Sequence, residues 1–380
     1  MTEPLHAMFV TGTRADYGLW LPVLHEIARH PDRIRAELLV TAMHLDRRFG
    51  MTVDEVRSGP IPIAHEVACS PEGDGRAEMA AALGTAIIGI ADALGDAPPD
   101  WLLLLGDRGE QLGAAIVGLH LGVAIAHLHG GERTLGAVDD TLRDMITRAA
   151  HLHLVSSERA AARLTARGEE PWRIRITGAP GLDAIVARDA SNNRRTRERL
   201  GAPADGEYVV LVQHPETVGA ADPLGDLGAT LDALERSGLP VVAIAPNNDA
   251  GGRAILSRLG EAPVRLHASI AHDDYLALLA GAAALVGNSS SGIIEAPLLG
   301  VPVVNVGDRQ HGRERGDNVI DVPADAAAIA DAIERATDPA FRASLTRVSP
   351  YGDGAAAPRV VEALLSTPVD DRLLTKDPVA

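Results

Sequence analysis

Lysine is almost missing from this 380-residue chain: the single one, Lys376, stands four residues from the end, although lysine and arginine together number 35. A Schiff-base lysine and a P-loop lysine are thereby excluded from the body of the chain, so any anion must be held by arginine and backbone N–H groups. Cysteine is as scarce. Cys69 stands alone, which forbids an internal disulfide and suits a reducing cytoplasm. No apolar run approaches the roughly 18 residues that span a bilayer, and the opening MTEPLHAMFV lacks the pattern of a signal peptide. Basic residues are outnumbered by 52 acidic ones, for a formal net charge of −17. Neither nucleic acid nor a membrane surface is an expected partner, whereas a local group of arginines still suits a small anionic ligand.

What is present is a long alternation of short apolar runs with helix-like segments. In the first half, strands are expected at 8–10, 37–40, 60–67, 101–105, 123–128, 151–156 and 173–177. In the second they are expected at 208–212, 241–245, 264–267, 285–287 and 301–306. Continuous apolar runs bounded by polar turns read as buried parallel strands. Two halves of repeated βα units imply an α/β chain of two Rossmann-like domains facing across a cleft. The expected boundaries are 1–185, 186–352, and a closing helix with a frayed tail over 353–380.

In such sheets the carboxyl ends of strands form the ligand crevice, so the residues that follow each run are the candidates. Thr11–Gly18, TGTRADYG, joins a strand to a helix N-terminus, a ready anion site with Arg14 against a phosphate; a plain βα turn with a solvated arginine is the alternative. The 101–105 run ends in Asp107, Arg108 and Glu110, and the 123–128 run in His127, His129 and Glu132, with Asp139 and Asp140 beyond. Crowded carboxylates repel, which raises one pKa as general acid–base chemistry requires. Arg143 is placed to fix Asp139 or Asp140 one helical turn back. A metal held by His127, His129 and Glu132 is the rival, but no open-site signature such as HExxH follows. In the second half His214 begins a strand-end loop, and Asn247, Asp249 and Arg253 follow the next strand. Ser289, Ser290, Ser291 and Gly292 precede a helix expected to run to Leu299, where backbone N–H groups and the helix dipole favour a diphosphate. Glu295 lies one turn in, suited to two ribose hydroxyls. The alternative is a serine N-cap with a dipole-stabilising glutamate. Arg309, Arg313 and Arg315 follow the last strand.

Seven motifs in order, TGTRADYG, GDRGE, HLHGGERTLGAVDD, VQHPET, PNNDAGGR, GNSSSGIIEAP and NVGDRQHGRERGDNVI, closely resemble those of the hydrolysing UDP-N-acetylglucosamine 2-epimerases of sialic-acid pathways. The likeness runs from about Val10 to Val322. It implies a glycosyltransferase-B-like fold and conversion of UDP-N-acetylglucosamine to N-acetylmannosamine and UDP, through a 2-acetamidoglucal and without a cofactor. By the resemblance, Asp107, Glu132 and Asp139 match the proton-transfer carboxylates and His214 the histidine beside the diphosphate. Arg14, Ser289, Ser290, Glu295, Arg309 and Arg313 match UDP-contact positions. In some relatives the acid stands at the position of His129. The family pattern is broken at Ala42 for a glycine, Gly109 for an aromatic and Asp144 for a histidine, the last adding negative charge beside the catalytic carboxylates. A relative acting on a UDP-2,4-diacetamido-trideoxy sugar carries the same motifs. A homodimer or homotetramer is expected. A UDP-sugar glycosyltransferase, a non-epimerising hydrolase and a non-catalytic UDP-sugar sensor are the alternatives.

Overall fold

The computed structural model describes residues 3–73, 75–135, 137–203, 207–218 and 222–377. It divides into two compact units. The first comprises Met1–Glu132, Asp139–Asp183 and Tyr351–Ala380, the second Arg133–Val138 and Ala184–Pro350.

The first unit is built on seven strands, β1 (Leu5–Thr11), β2 (Ile34–Thr41), β3 (Ile63–Val67), β4 (Trp101–Leu105), β5 (Ala124–Leu128), β6 (Leu152–Val155) and β7 (Ile174–Ile176). All pair in parallel, in the order β3-β2-β1-β4-β5-β6-β7. Side chains alternate across a strand, and β1 shows the consequence. Ala7 and Phe9 enter one apolar cluster with Trp20, while Met8 and Val10 enter another on the opposite face. Both faces are covered, which is why these runs read as continuously apolar rather than alternating. The chain leaves β1 outward to β3, then crosses back to place β4 beside β1. That reversal opens a crevice at the carboxyl ends of β1 and β4.

The second unit repeats the plan with β8 (Val209–Val212), β9 (Val241–Ile244), β10 (Arg265–His267), β11 (Ala284–Gly287), β12 (Val303–Val306) and β13 (Val319–Val322). The order is β10-β9-β8-β11-β12-β13, again all parallel. The reversal here falls between β8 and β11. Gly287 ends β11 at φ 123°, and a Cβ there would stand 2.1 Å from the Val212 carbonyl oxygen, so only glycine lets the two strand ends close together.

Four local expectations give way. Strand β13 was not foreseen, because a half-buried edge strand carrying Asp321 lacks the apolar run that marked the others. The charged stretch expected to interrupt the pattern contains the helix Asn193–Arg199, and GAPGLDA opens the helix Gly181–Ala187. The helix expected to run to Leu299 is two short pieces, Ser291–Ile294 and Ala296–Leu299, split where Pro297 supplies no N–H to the preceding turn. Helix Arg76–Leu94 is long and apolar enough, by length and composition, to cross a membrane; Arg76, Glu78 and Asp92 hide this from a search for uninterrupted runs.

The tail is anchored rather than frayed as far as Asp377. Helix Ala356–Ser366 returns to the first unit, its first N–H groups accepted by Asp183 at 2.8 and 2.7 Å, and its apolar face joins the Trp20 cluster. Buried Arg173 donates to the carbonyls of Arg372, Leu373 and Thr375. Lys376 meets buried Glu169 at 2.7 Å. The scarce lysine is thus a fastening. Residues 378–380 of the expected frayed tail lie outside the described residues.

Candidate active site

The first unit gathers its chemistry at the ends of β4, β5 and β6, three adjacent strands. Asp107 follows β4 and is ion-paired with Arg143, whose side chain is 1% exposed. Arg143 also reaches the Asp140 carboxylate at 3.5 Å and donates to the Glu132 carbonyl at 3.2 Å. Of the two aspartates a turn back it therefore takes Asp140, together with an Asp107 partner that no sequence spacing announces. Asp139 opens the helix Asp139–Ala149, half-buried. Glu132 is buried, its Oε1 accepting from the Ser156 hydroxyl at 2.7 Å and lying 2.6 Å from His129 Nδ1. Arg108 is drawn onto Glu110 at 2.8 Å.

His127 takes no part in a ligand set. Its Nε2 lies 2.7 Å from the Gly106 carbonyl, which can only accept, so Nε2 carries the proton and Nδ1 accepts from the Thr147 hydroxyl at 3.1 Å. Both nitrogens are used. Burial pulls its pKa down to about 3, which keeps the ring neutral. Among the described residues no group of three or more His, Cys, Asp or Glu is arranged to hold a metal ion.

The turn after β1 has its N–H groups already engaged. Its Gly12 and Thr13 N–H groups donate to the Asp16 carboxylate at 3.1 and 3.2 Å, so the anion they were expected to greet is a side chain of the same helix. Thr13 and Asp16 form a reciprocal capping box. Burial, with the Glu110 carboxylate nearby, lifts Asp16 to a pKa of about 6. Thr11, His44 and Thr52 continue the hydrogen-bond chain behind it. Arg14 is half-exposed and paired with Glu55 at 2.5 Å.

The positions that break the family pattern resolve separately. Ala42 carries φ 47°, a left-handed conformation that glycine adopts without strain. A Cβ on Gly109 would meet nothing within 4 Å, so the missing side chain leaves open space at the start of the helix Gly109–Leu121. Asp144 pairs with Arg167, which offsets the charge expected beside the carboxylates.

In the second unit the ends of β8 and β11 are tied by one amide. Asn288 Oδ1 accepts the His214 N–H at 2.7 Å and its Nδ2 donates to the His214 carbonyl at 2.9 Å. His214 Nδ1 accepts from the Asn247 N–H at 3.2 Å, which places the proton of the neutral ring on Nε2. Arg309 is buried and, with Gln310, donates to the Asn288 carbonyl, at 3.3 and 2.8 Å. Ser289 Oγ accepts the Ser291 N–H at 3.3 Å, and Ser291 Oγ accepts from Tyr275 at 2.7 Å. Ser290 is half-buried at the N-cap, and Glu295 is buried at the break between the two short helices. Gly292 serves packing: a Cβ there would press on Val303 at 2.8 Å and Leu285 at 3.3 Å. Arg313 is half-buried in the loop after β12.

Arg253 is exposed on the helix Gly252–Gly260, and Arg315 is spent on Asp321 of β13 at 2.7 Å. One residue was missed. Glu216, two beyond His214, accepts the Asp308 and Arg309 N–H groups at 2.7 and 3.1 Å and joins the loops after β8 and β12. Its only signal was its place at a strand end.

Two all-parallel α/β units, each with a reversal point whose strand ends carry ionisable and amide side chains, define the glycosyltransferase-B-like class. Solved structures agree on that fold. A UDP-N-acetylglucosamine 2-epimerase of Neisseria meningitidis bound to UDP-GlcNAc superposes with a TM-score of 0.78 at 19% identity, over 96% of this chain and 100% of that one. A Listeria monocytogenes structure described as a putative UDP-N-acetylglucosamine 2-epimerase gives 0.78 at 20%, over 96% and 97%. The family model for UDP-N-acetylglucosamine 2-epimerase matches residues 25–365. The chain belongs to that family. Among curated relatives, a Legionella pneumophila UDP-N,N'-diacetylbacillosamine 2-epimerase (hydrolyzing) is 35% identical over 97% of this chain and 98% of its own. A UDP-N-acetylglucosamine 2-epimerase of Neisseria meningitidis serogroup B is 35% identical over 90% and 91%.

Proposed function

We propose that this chain is a hydrolysing 2-epimerase that takes a UDP-2-acetamido sugar to UDP and the free 2-epimeric sugar. The observation that supports this is the set of ionisable side chains, Asp107 with the His129–Glu132 pair, at the ends of adjacent strands β4 and β5 in a member of this family. As the C1–O bond to UDP breaks, positive charge at C1 acidifies the C2 proton. A base removes it, its electron pair forms the C1=C2 bond, and UDP leaves. Water then adds at C1 while an acid returns a proton to C2 on the other face, inverting that centre. Asp107, Glu132 and Asp139 are the proton-transfer carboxylates on this reading, and the His214 Nε2–H donates to the departing diphosphate. Arg14, Ser289, Ser290, Ser291, Glu295, Arg309 and Arg313 hold UDP, with Arg108, His129, Asn247 and Arg253 nearer the sugar. The second unit is the UDP-binding domain of a cytoplasmic homodimer or homotetramer.

UDP-N-acetylglucosamine, giving N-acetylmannosamine, is the first substrate. The open space at Gly109 and the name of the Legionella relative support a second, a UDP-2,4-diacetamido-trideoxy sugar with its larger C4 substituent. Both sugars, incubated in deuterated water and followed by NMR and mass spectrometry, test the proposal. Deuterium at C2 of a released 2-epimer is the expected result. UDP release without C2 label means simple hydrolysis, and release only on adding an acceptor means glycosyl transfer.

A further inference from the structure

His129 ends β5 in a conformation that histidine rarely adopts, φ 63°. Left-handed backbone at a bulky residue persists where the surrounding structure enforces it, commonly at functional sites. Here the enforcement is visible. The His129 N–H donates to Leu154 on neighbouring β6, and Nδ1 lies 2.6 Å from Glu132 Oε1. The same oxygen accepts the Ser156 hydroxyl at 2.7 Å. Glu132 so engaged is a carboxylate that accepts from two sides, so the Nδ1 of His129 is the donor and carries the ring proton. The lone pair of the neutral ring is then on Nε2. That atom is buried in a side chain 7% exposed, and it has no hydrogen-bond partner. A buried, unpartnered ring nitrogen is costly and calls for an explanation. His127, two residues earlier, is the contrast: both of its nitrogens are satisfied.

We infer that His129 is the base that removes the sugar C2 proton, and that Glu132 is a positioning residue that fixes its tautomer and stabilises the imidazolium. This rests on the 2-epimerase proposal and deepens it, moving Glu132 from proton transfer to the support of His129. Nε2 takes the C2 proton, the C2–H pair becomes the C1=C2 bond, and the C1–O pair leaves with UDP. An orienting carboxylate behind a histidine is the arrangement by which other enzymes set an imidazole's tautomer and orientation.

The test uses the full chain with His129→Asn, His129→Glu and Glu132→Gln, each scored for kcat, C2 deuterium and pH profile. Asparagine tolerates the left-handed backbone, so His129→Asn keeps the turn, and UDP affinity within about threefold of wild type reports an intact fold. Its kcat is expected to fall roughly 10²–10⁴-fold. His129→Glu is expected to recover part of the loss, with the acid limb of kcat/KM moved down by about two pH units, the gap between imidazole and carboxyl. Glu132→Gln removes the charge facing the imidazolium, so its acid limb also moves to lower pH; a merely structural Glu132 would leave the limb in place. Wild type that labels C2 beside a His129→Asn that labels it equally fast overturns the base alone. Wild type that releases UDP with no C2 label overturns the epimerase proposal and the base with it.

Discussion

The two reversal points are built alike and equipped differently. Between β1 and β4 the Gln111 amide accepts the Leu105 N–H and donates to the Val10 carbonyl, and ionisable pairs gather around that tie: Asp107 on Arg143, His129 on Glu132, Asp16 on its own helix N-terminus. Between β8 and β11 the main tie is a neutral amide, Asn288 clasping the His214 backbone, with Arg309 and Gln310 on its carbonyl. Ionisable groups held in burial can move protons. An amide cannot titrate, but it holds its geometry at any pH. The same topology thus carries an amide tie in both units and a denser cluster of ionisable pairs in the first.

The largest test of this contrast is Asp107→Asn, which keeps the shape and deletes the charge. Turnover is expected to fall about 10³-fold or more, with UDP affinity, measured by calorimetry, within about threefold of wild type. A parallel loss of UDP affinity would mean that the division between the units is wrong.

Acid should test the buried histidines of the first unit next. His44, His127 and His151 are held neutral by burial, with pKa values near 4, 3 and 4. These folded values lie below the unfolded one, about 6.5, so the unfolded chain takes protons first. Their stabilisation is complete above pH 6.5 and is lost as pH falls towards 3–4. Asp16 works the other way, because its raised pKa lets the folded state bind the proton first between about 6 and 3.8. Three groups against one leave a net loss of stability as pH falls from 7 to 4. Thermal melts from pH 7 to 4 check it, and a flat profile would remove the contrast.

Asn288→Ala strands the His214 N–H and carbonyl in the second unit. A loss of about 2 kcal/mol is expected in denaturant titration, accompanied by weaker UDP binding and, unlike the acid effect, independent of pH. The smallest change is Arg315→Ala, whose partner Asp321 is half-exposed. Stability should move by no more than about 0.5 kcal/mol and UDP affinity not at all, which separates Arg315 from buried Arg309.

The strands were legible because burial on both faces leaves an unmistakable apolar run, and β4 was read residue for residue. Edge strand β13 was not, since one solvated edge lets Asp321 into it. Short helices inside charged or glycine-rich stretches were equally hidden, because their support comes from distant partners: Asp183 receives N–H groups from residues 356 and 357. At the site, proximity in sequence exposed Asp107, His129, Glu132 and His214. The roles of Arg143 towards Asp107, of Asn288 and of Glu216 depend on pairs 36, 74 and 92–93 residues apart.

By itself the sequence determined that the chain makes parallel α/β layers, that no lysine outside the tail is there to hold an anion, and which strand ends carry ionisable side chains. Those follow from local pattern and residue type. Only the tertiary structure decided that Asp16 fills its own helix terminus, that Arg315 is diverted to a strand edge, and that Glu132 faces His129 and leaves Nε2 bare. A side chain's protonation and hydrogen-bond role depend on what stands within about 3 Å of it, and folding alone brings those neighbours together.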